Sequence, residues 1–280
     1  MAPPAQASGP SLAAGAISGY RQRRLLGRGA SGEVWEVSSR RTGERLALKR
    51  VDLSGMGPKE RRTALREAHL LRRLAHPHIV HFVDLLVEGP TMCIVMQYLD
   101  GGDLHQTICQ ARDLERRLRE ADIWRWFLQV VSALDYLHKR LVIHRDVKPA
   151  NVFLTSAGGG AVLGDLGIAK VLSAQDSHAV TQIGTPAYLA PEVWLAHRYG
   201  YAADVYSLGC TVYELAELRP PFPTRNRAIL ATLVCHRGSA PVAMVAGYSP
   251  ALESVVQQML SRDPGQRPGP PHILDYASRM

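Results

Sequence analysis

Hydrophobic and polar positions follow two different rhythms along the chain. Between Tyr20 and Met96, short apolar runs are separated by turn residues: Arg24–Arg28, Val34–Ser38, Leu46–Val51, Ile79–Val87 and Met92–Met96. Their length and β-branched content predict strands. One stretch breaks this pattern. From Lys59 to Ala75, the positions Ala64, Leu65, Ala68 and Leu71 recur on a helical period and predict a single helix. After Asp100 the helical rhythm dominates: Ile123, Trp126, Phe127, Val130, Leu134 and Leu137 form one long apolar stripe, and Ala202–Glu217 and Leu252–Leu260 predict further helices. The expected fold class is α+β, with a small β-rich body over about residues 20–96 and a larger helical body over about 100–277. Ahead of both, residues 1–19 are mostly Ala, Pro, Ser and Gly without periodicity, and are expected to form a flexible tail.

Composition narrows the class. The 280 residues are 46% hydrophobic and 21% charged, as in ordinary globular domains, which excludes general disorder. No apolar run approaches the roughly 18 residues of a membrane helix. Thirty-three Lys and Arg against 25 Asp and Glu leave a formal charge of +8, so anionic partners are favoured. The basic residues are scattered, however, in groups such as Arg21/Arg23/Arg24, Arg61/Arg62/Arg66 and Arg116/Arg117/Arg119, the last two adjoining acids such as Glu67 and Glu120. Aromatics do not interleave with them, so no specific nucleic-acid partner is expected. Cys93, Cys109, Cys210 and Cys235 lack the paired spacing of a zinc or redox site, and reduced thiols in the cytoplasm fit best. The prolines at positions 3, 4 and 10 break any secretory signal.

Several motifs carry chemistry. Gly27-Arg28-Gly29-Ala30-Ser31-Gly32-Glu33-Val34 places three glycines where a backbone can approach a polyphosphate closely. Gly32 leads into a strand-like run rather than a helix, which disfavours a dinucleotide fold, and no Gly-Lys-Ser/Thr ending is present for a P-loop. Lys49 follows on an apolar strand, and Glu67, within the lone helix, is an acid able to hold it. The stretch Ile143-His144-Arg145-Asp146-Val147-Lys148-Pro149-Ala150-Asn151-Val152 precedes Asp165-Leu166-Gly167. Phosphoryl transfer needs a carboxylate to orient and deprotonate a hydroxyl, and oxygen ligands for Mg²⁺. Asp146, Asn151 and Asp165 match those needs in order. Further on, Ala190-Pro191-Glu192 closes a loop begun at Asp165, and Arg267 can pair with Glu192.

Together these strings resemble the eukaryotic protein kinase superfamily across roughly Tyr20 to Leu274. The resemblance implies a bilobal protein-kinase fold with a hinge at residues 97–99, and transfer of the γ-phosphoryl of ATP, with Mg²⁺, to protein substrates. It implies that Leu26, Gly27, Arg28, Gly29, Ala30, Ser31, Gly32, Glu33 and Val34 cover the nucleotide. Ala47 and Phe153 would flank the adenine, Met96 would act as gatekeeper, and the hinge Gln97-Tyr98-Leu99 would meet the adenine edge. Lys49, paired with Glu67, would hold the α- and β-phosphates. Asp146 becomes the base, Lys148 the γ-phosphate contact of a serine/threonine kinase, and Asn151 and Asp165 the metal ligands. Within the superfamily the chain is most similar to the NIMA-related kinases, on His144-to-Thr155, Gly164-to-Lys170, Gly184-Thr185-Pro186 and Arg237-to-Val242.

The same likeness makes Thr181 the expected activating phosphosite, with Ser177 the alternative, Arg145 as its phosphate contact and Thr185 bonded within the catalytic loop. Leu166 and Ala187 depart from the commoner aromatic residues. A chain without a long coiled-coil tail is expected to be monomeric. Two rival readings stay open: a pseudokinase scaffold that binds nucleotide without turnover, and a kinase-fold enzyme acting on small molecules. Three further features have structural readings. His76, His78 and His81 sit in a turn and are not expected to bind metal; Cys93 is expected as a packed apolar residue, and Trp124, Trp126 and Phe127 as core. The final Ser278-Arg279-Met280 resembles a peroxisomal address, set against cytoplasmic residence as the primary expectation.

Overall fold

The computed structural model describes residues 19–29, 32–156, 159–165, 185–197, 200–224, 226–236 and 247–279. It divides into two compact units: the chain up to Leu74 with His81–Tyr98, and Ala75–Val80 with everything from Leu99 onward.

The first unit is an antiparallel sheet in the order β1-β2-β3-β5-β4, comprising β1 (Tyr20–Gly29), β2 (Gly32–Ser39), β3 (Arg45–Asp52), β4 (Phe82–Glu88) and β5 (Thr91–Gln97). Strand alternation sorts its side chains. Trp35, Val37, Leu46, Leu48, Cys93 and Val95 share one face and form a buried cluster, while Val34, Glu36, Ala47 and Lys49 take the other. Burial pushes the Cys93 thiol up to about 11, so it is an inert packed residue. The lone helix α1 (Pro58–Leu71) starts with proline, whose missing N–H costs nothing at that position, and buries Ala64 and Ala68.

Two strand boundaries differ from the pattern-based expectation. β1 begins at Tyr20 rather than Arg24, because its ladder to β2 continues through polar residues that an edge strand tolerates. The run from Ile79 becomes strand only at Phe82. Its first residues are engaged by the second unit instead: Leu163 donates its N–H to the His78 carbonyl and accepts the Val80 N–H, both at 2.9 Å.

In the second unit, α2 (Leu104–Asp113) is capped by the Asp103 carboxylate, which accepts the Gln106 N–H. α3 (Glu120–His138) buries the whole expected stripe from Ile123 to Leu137. Trp126 and Phe127 are core, whereas Trp124 is only half-buried and donates its indole N–H to Glu120 at 3.0 Å. After a short hairpin of β6 (Val152–Leu154) and β7 (Ala161–Leu163) come α4 (Pro191–Trp194), α5 (Tyr201–Glu217), α6 (Arg227–His236), α7 (Pro250–Met259) and α8 (Pro270–Ser278). α5 is buried continuously from Ala203 to Ala216, as a helix apolar on all sides should be, and packs on α3 and α7. His76 and His78 are tied down by Ser132 and the Ala161 carbonyl, and among the described residues no group of three potential ligands could hold a metal. Nor is any described helix long and apolar enough to cross a membrane.

One buried ion pair locks this unit. Arg267 and Glu192 form a two-pronged contact at 2.7 and 2.8 Å, and Arg267 also donates to the carbonyls of Ser261, Ala202 and Arg262. All five guanidinium N–H groups therefore have acceptors, which is the condition under which a buried pair is tolerated. Removing one partner strands the other charge. Arg267→Ala should cost about 3–5 kcal/mol in urea unfolding, and the double replacement Glu192→Gln/Arg267→Met should cost markedly less.

Candidate active site

The loop between α3 and β6 carries the candidate catalytic residues, and a carboxylate outside the motif sets its path. Asp204, in the first turn of α5, is fully buried. Its Oδ2 accepts the backbone N–H of His144 at 2.8 Å and the imidazole Nε2–H of His138 at 3.0 Å, and its Oδ1 accepts the Arg145 N–H at 2.9 Å. Those bonds hold Arg145 at φ 67°, a left-handed conformation that a non-glycine residue adopts only under constraint. The sequence reading missed Asp204. Its signal was an acid inside an otherwise apolar helix, where an ionised side chain must find several donors.

His144 adds a second brace. Its Nε2–H donates to the Gly164 carbonyl at 2.9 Å, while Nδ1 faces the Asp146 N–H at 3.3 Å. One nitrogen must donate and the other accept, so the ring is neutral. Burial holds its pKa below the ordinary histidine value, against the opposing pull of Asp204, Asp146 and Asp165. Gly164 packs so closely that a Cβ there would lie 2.7 Å from the Phe153 ring, and its N–H donates to the Asn151 carbonyl at 2.9 Å. The next residue, Asp165, sits at φ 51°.

On this frame the polar groups converge. Asn151 donates its amide to both the carbonyl and Oδ2 of Asp146, at 2.8 and 2.9 Å. Lys148 Nζ reaches Asp146 Oδ2 at 3.0 Å and donates to Thr185 Oγ1 at 2.9 Å. The neighbouring turn Pro186–Tyr188 is pinned to α5: Tyr188 donates its hydroxyl to Glu214 at 2.6 Å, and Ser207 donates to the Tyr188 carbonyl at 2.8 Å. Burial raises the pKa of both Glu214 and Tyr188. Arg145 Nε is buried with no hydrogen-bond partner among the described residues.

The sheet of the first unit carries the remaining candidates. Lys49 lies on β3, only 8% exposed, between Val34 and Ile94, with Ala47 two residues before it on the same face. Leu26, Gly27, Arg28 and Gly29 end β1, and Gly32 and Glu33 begin β2. Gly32 has φ 118°, and a Cβ there would meet the Arg50 carbonyl at 1.8 Å, so no other residue fits. Glu33 pairs with Arg28 at 2.9 Å and accepts the Trp35 indole N–H at 3.0 Å. Met96 and Gln97 close β5, with Tyr98 following; Leu99 begins the second unit, and Phe153 lies on β6. Ala30, Ser31, Leu166, Gly167, Ser177, Thr181 and Arg237–Val242 lie outside the described residues, as do residues 1–18 and Met280; of Glu67 only the position on α1 is described.

A glycine-bearing hairpin and a buried strand lysine thus stand in the first unit, and a carboxylate braced by lysine and asparagine in the second. The family model of the protein kinase domain matches residues 20–277, and the chain belongs to that family. It is 39% identical over 256 residues to the serine/threonine-protein kinase Nek4 of Mus musculus, covering 91% of this chain and 32% of that protein. To Nek3 of Mus musculus it is 36% identical over 258 residues, covering 92% and 49%. To the probable serine/threonine-protein kinase nek2 of Dictyostelium discoideum it is 35% identical over 263 residues, covering 92% and 62%. The chain thus spans between about a third and two thirds of the length of these relatives.

Asp204→Ala should leave the His144 and Arg145 N–H groups unpaired, lowering unfolding stability by about 2–4 kcal/mol. The neutral His144 gives a signed pH dependence. Its native pKa lies below the unfolded value of about 6.5, so its contribution is complete above that pH and falls as pH drops below it. Nitrogen-15 NMR of the histidines should show His144 as the Nε2–H tautomer at neutral pH, titrating below 6.5; titration above it would contradict the geometry.

Proposed function

We propose that this chain is a serine/threonine protein kinase of NIMA-related type that transfers the γ-phosphoryl group of ATP to hydroxyls of protein substrates. The observation that carries the reading is the Asp146 carboxylate, fixed through Oδ2 by Asn151 and Lys148, with Lys148 also bonded to Thr185. The family match and the similarity to Nek kinases support the same class.

In this reading Asp146 orients the incoming seryl or threonyl hydroxyl and accepts its proton as the oxygen attacks the γ-phosphorus and ADP departs. Lys148 neutralises charge on the transferred group, and its bond to Thr185 ties the base to the segment on which a substrate peptide would lie. Lys49, with Glu67, holds the α- and β-phosphates, under the glycines of the β1–β2 hairpin. Val34, Ala47 and Phe153 offer apolar faces to adenine, and the backbone from Gln97 to Leu99 its polar edge, beside Met96. The donor set suits Mg²⁺: the Asn151 amide nitrogen is turned to Asp146, leaving its oxygen for a cation, and Asp165 adds a carboxylate. Asn151 and Asp165 would hold Mg²⁺, which would supply positive charge against the phosphate oxygens.

Regulation follows the same chemistry. The buried Nε of Arg145, without a hydrogen-bond partner among the described residues, supports a phosphate contact, the phosphate being carried by Thr181 or alternatively Ser177. We further propose a monomeric protein resident in the cytoplasm, without a nucleic-acid or membrane partner.

Transfer of radiolabel from γ-labelled ATP to a generic protein substrate, followed by phosphoamino-acid analysis, tests the class. Label on serine or threonine is expected, and Asp146→Asn should lower kcat about 100-fold or more with the melting curve preserved. Nucleotide binding without transfer would replace the reading with a scaffold. Thr181→Ala should lower activity at nearly unchanged ATP affinity; full activity of an enzyme unmodified at Thr181 and Ser177 by mass spectrometry would remove the regulatory assignment.

A further inference from the structure

A shallow cavity of about 570 Å³, wide open to solvent, lies on the sheet of the first unit and is lined by Arg23, Arg24, Glu36 and Arg45. It shares none of its lining residues with those assigned to phosphoryl transfer. Glu36 forms its floor and is only 5% exposed, on the face opposite the apolar cluster. Two guanidinium groups grip that one carboxylate: Arg24 Nε at 2.7 Å and Arg45 Nε at 3.0 Å. Arg24 also donates from Nη2 to the Tyr98 hydroxyl at 2.9 Å, and Arg45 stacks over the Tyr98 ring at 4.5 Å. The Arg24 contact holds the Glu36 carboxyl below its ordinary pKa, assisted by Arg45, so the floor stays ionised.

The backbone brings the third arginine in. Successive side chains of a strand normally point to opposite faces. Here a bulge falls between Gln22 and Arg24: Gln22 pairs with Val37 and Arg24 with Glu36, which leaves Arg23 as the extra residue. Both Arg23 and Arg24 consequently line one cavity, and a bulge that re-aims a side chain is a recognised functional device.

One cation balances the charge of a carboxylate such as Glu36. This one has two cationic partners, with a third arginine beside them, leaving a formal excess of two positive charges around an open site. Arg24 and Arg45 are 65% and 51% exposed, so their outer N–H groups face the opening. We propose that this cavity is a docking site for a phosphorylated peptide segment, with the phosphomonoester of a phosphoserine or phosphothreonine seated on Arg23, Arg24 and Arg45. A phosphate of charge about −1.5 to −2 matches the excess, whereas a carboxylate leaves half of it uncompensated. Arginine forks supply paired N–H donors to its oxygens. Glu36 and Tyr98 hold two of the forks in place before the ligand arrives, which lowers the ordering cost of binding.

A peptide fits the surroundings better than a lipid surface does. β1 is an edge strand with Leu25 and Leu26 each 38% exposed just beyond the arginines, offering apolar contacts and a strand edge to an extended chain. A membrane surface would favour a basic face without an acid at its centre, and Glu36 stands among the three arginines.

The test uses the full chain without ATP, in about 150 mM salt, and a fluorescein-labelled phosphothreonine peptide beside its threonine and glutamate counterparts. Anisotropy should show the phosphopeptide binding at least about tenfold tighter than either. Arg23→Ala, at an exposed side chain, should weaken the phosphopeptide severalfold. Arg24→Lys/Arg45→Lys, which keeps the charge but removes the forks, should abolish most of the preference with the melting temperature preserved. Equal binding of the three peptides, or a preference that survives both variants, would overturn the proposal. So would binding of vesicles containing phosphoinositides, lost in the same variants, without binding of the phosphopeptide. Because Arg23 is not among the residues assigned to nucleotide binding or phosphoryl transfer, the Arg23→Ala variant, with ATP-dependent activity preserved, separates loss of docking from loss of phosphoryl transfer.

Discussion

An ionised carboxylate deep inside a helical body is tolerated only if donors surround it, and Asp204 meets that condition with the backbone of the catalytic loop. Its requirement for N–H partners and the loop's requirement for acceptors are satisfied together. The positive φ of Arg145, the carbonyl contact of His144 and the position of Asp146 all follow from that exchange. A loop without regular secondary structure is thereby given the rigidity of the helix that anchors it. Precision at Asp146 then comes from Asn151 and Lys148, whose bonds restrict its carboxylate to a narrow range of orientations.

Electrostatics are handled differently in different places. Arg267 and Glu192 are both buried and fully bonded, so they act as a structural lock. Asp204 is matched mostly by backbone N–H groups and so determines a path. Arg23, Arg24 and Arg45 outnumber their single acid and remain open to solvent, an excess that internal stability does not require, because exposed pairs contribute little. An unbalanced charge points outward to a ligand; a balanced one points inward to the fold.

Much of this was legible in the sequence because periodicity reports burial. The stripe of α3 and the strands β2, β3 and β5 have one buried face each, so their patterns are sharp. β1 was underestimated because an edge strand gains its stability from a ladder rather than from apolar side chains. The strand expected from Ile79 was overextended, because local composition does not reveal that His78 and Val80 bond to Leu163, some eighty residues away. The short α2, α4, α6 and α8 did not stand out, their apolar residues being set by tertiary neighbours. At the candidate site the motif residues could be named because their strings resemble those of the protein kinase superfamily. Asp204 could not, since its partners are main-chain groups that leave no trace in side-chain chemistry. The bulge at Arg23 was hidden for the same reason: register is a property of a strand pair.

Residue-resolved amide hydrogen exchange of the unliganded protein by NMR tests most directly whether Asp204 organises the catalytic loop. The account predicts that the His144 and Arg145 amides exchange as slowly as the core of α3, despite lying in a loop, and that Asp204→Ala releases these two while α3 keeps its protection. Rapid exchange of both amides in the wild-type protein, or protection unaffected by that substitution, would contradict it.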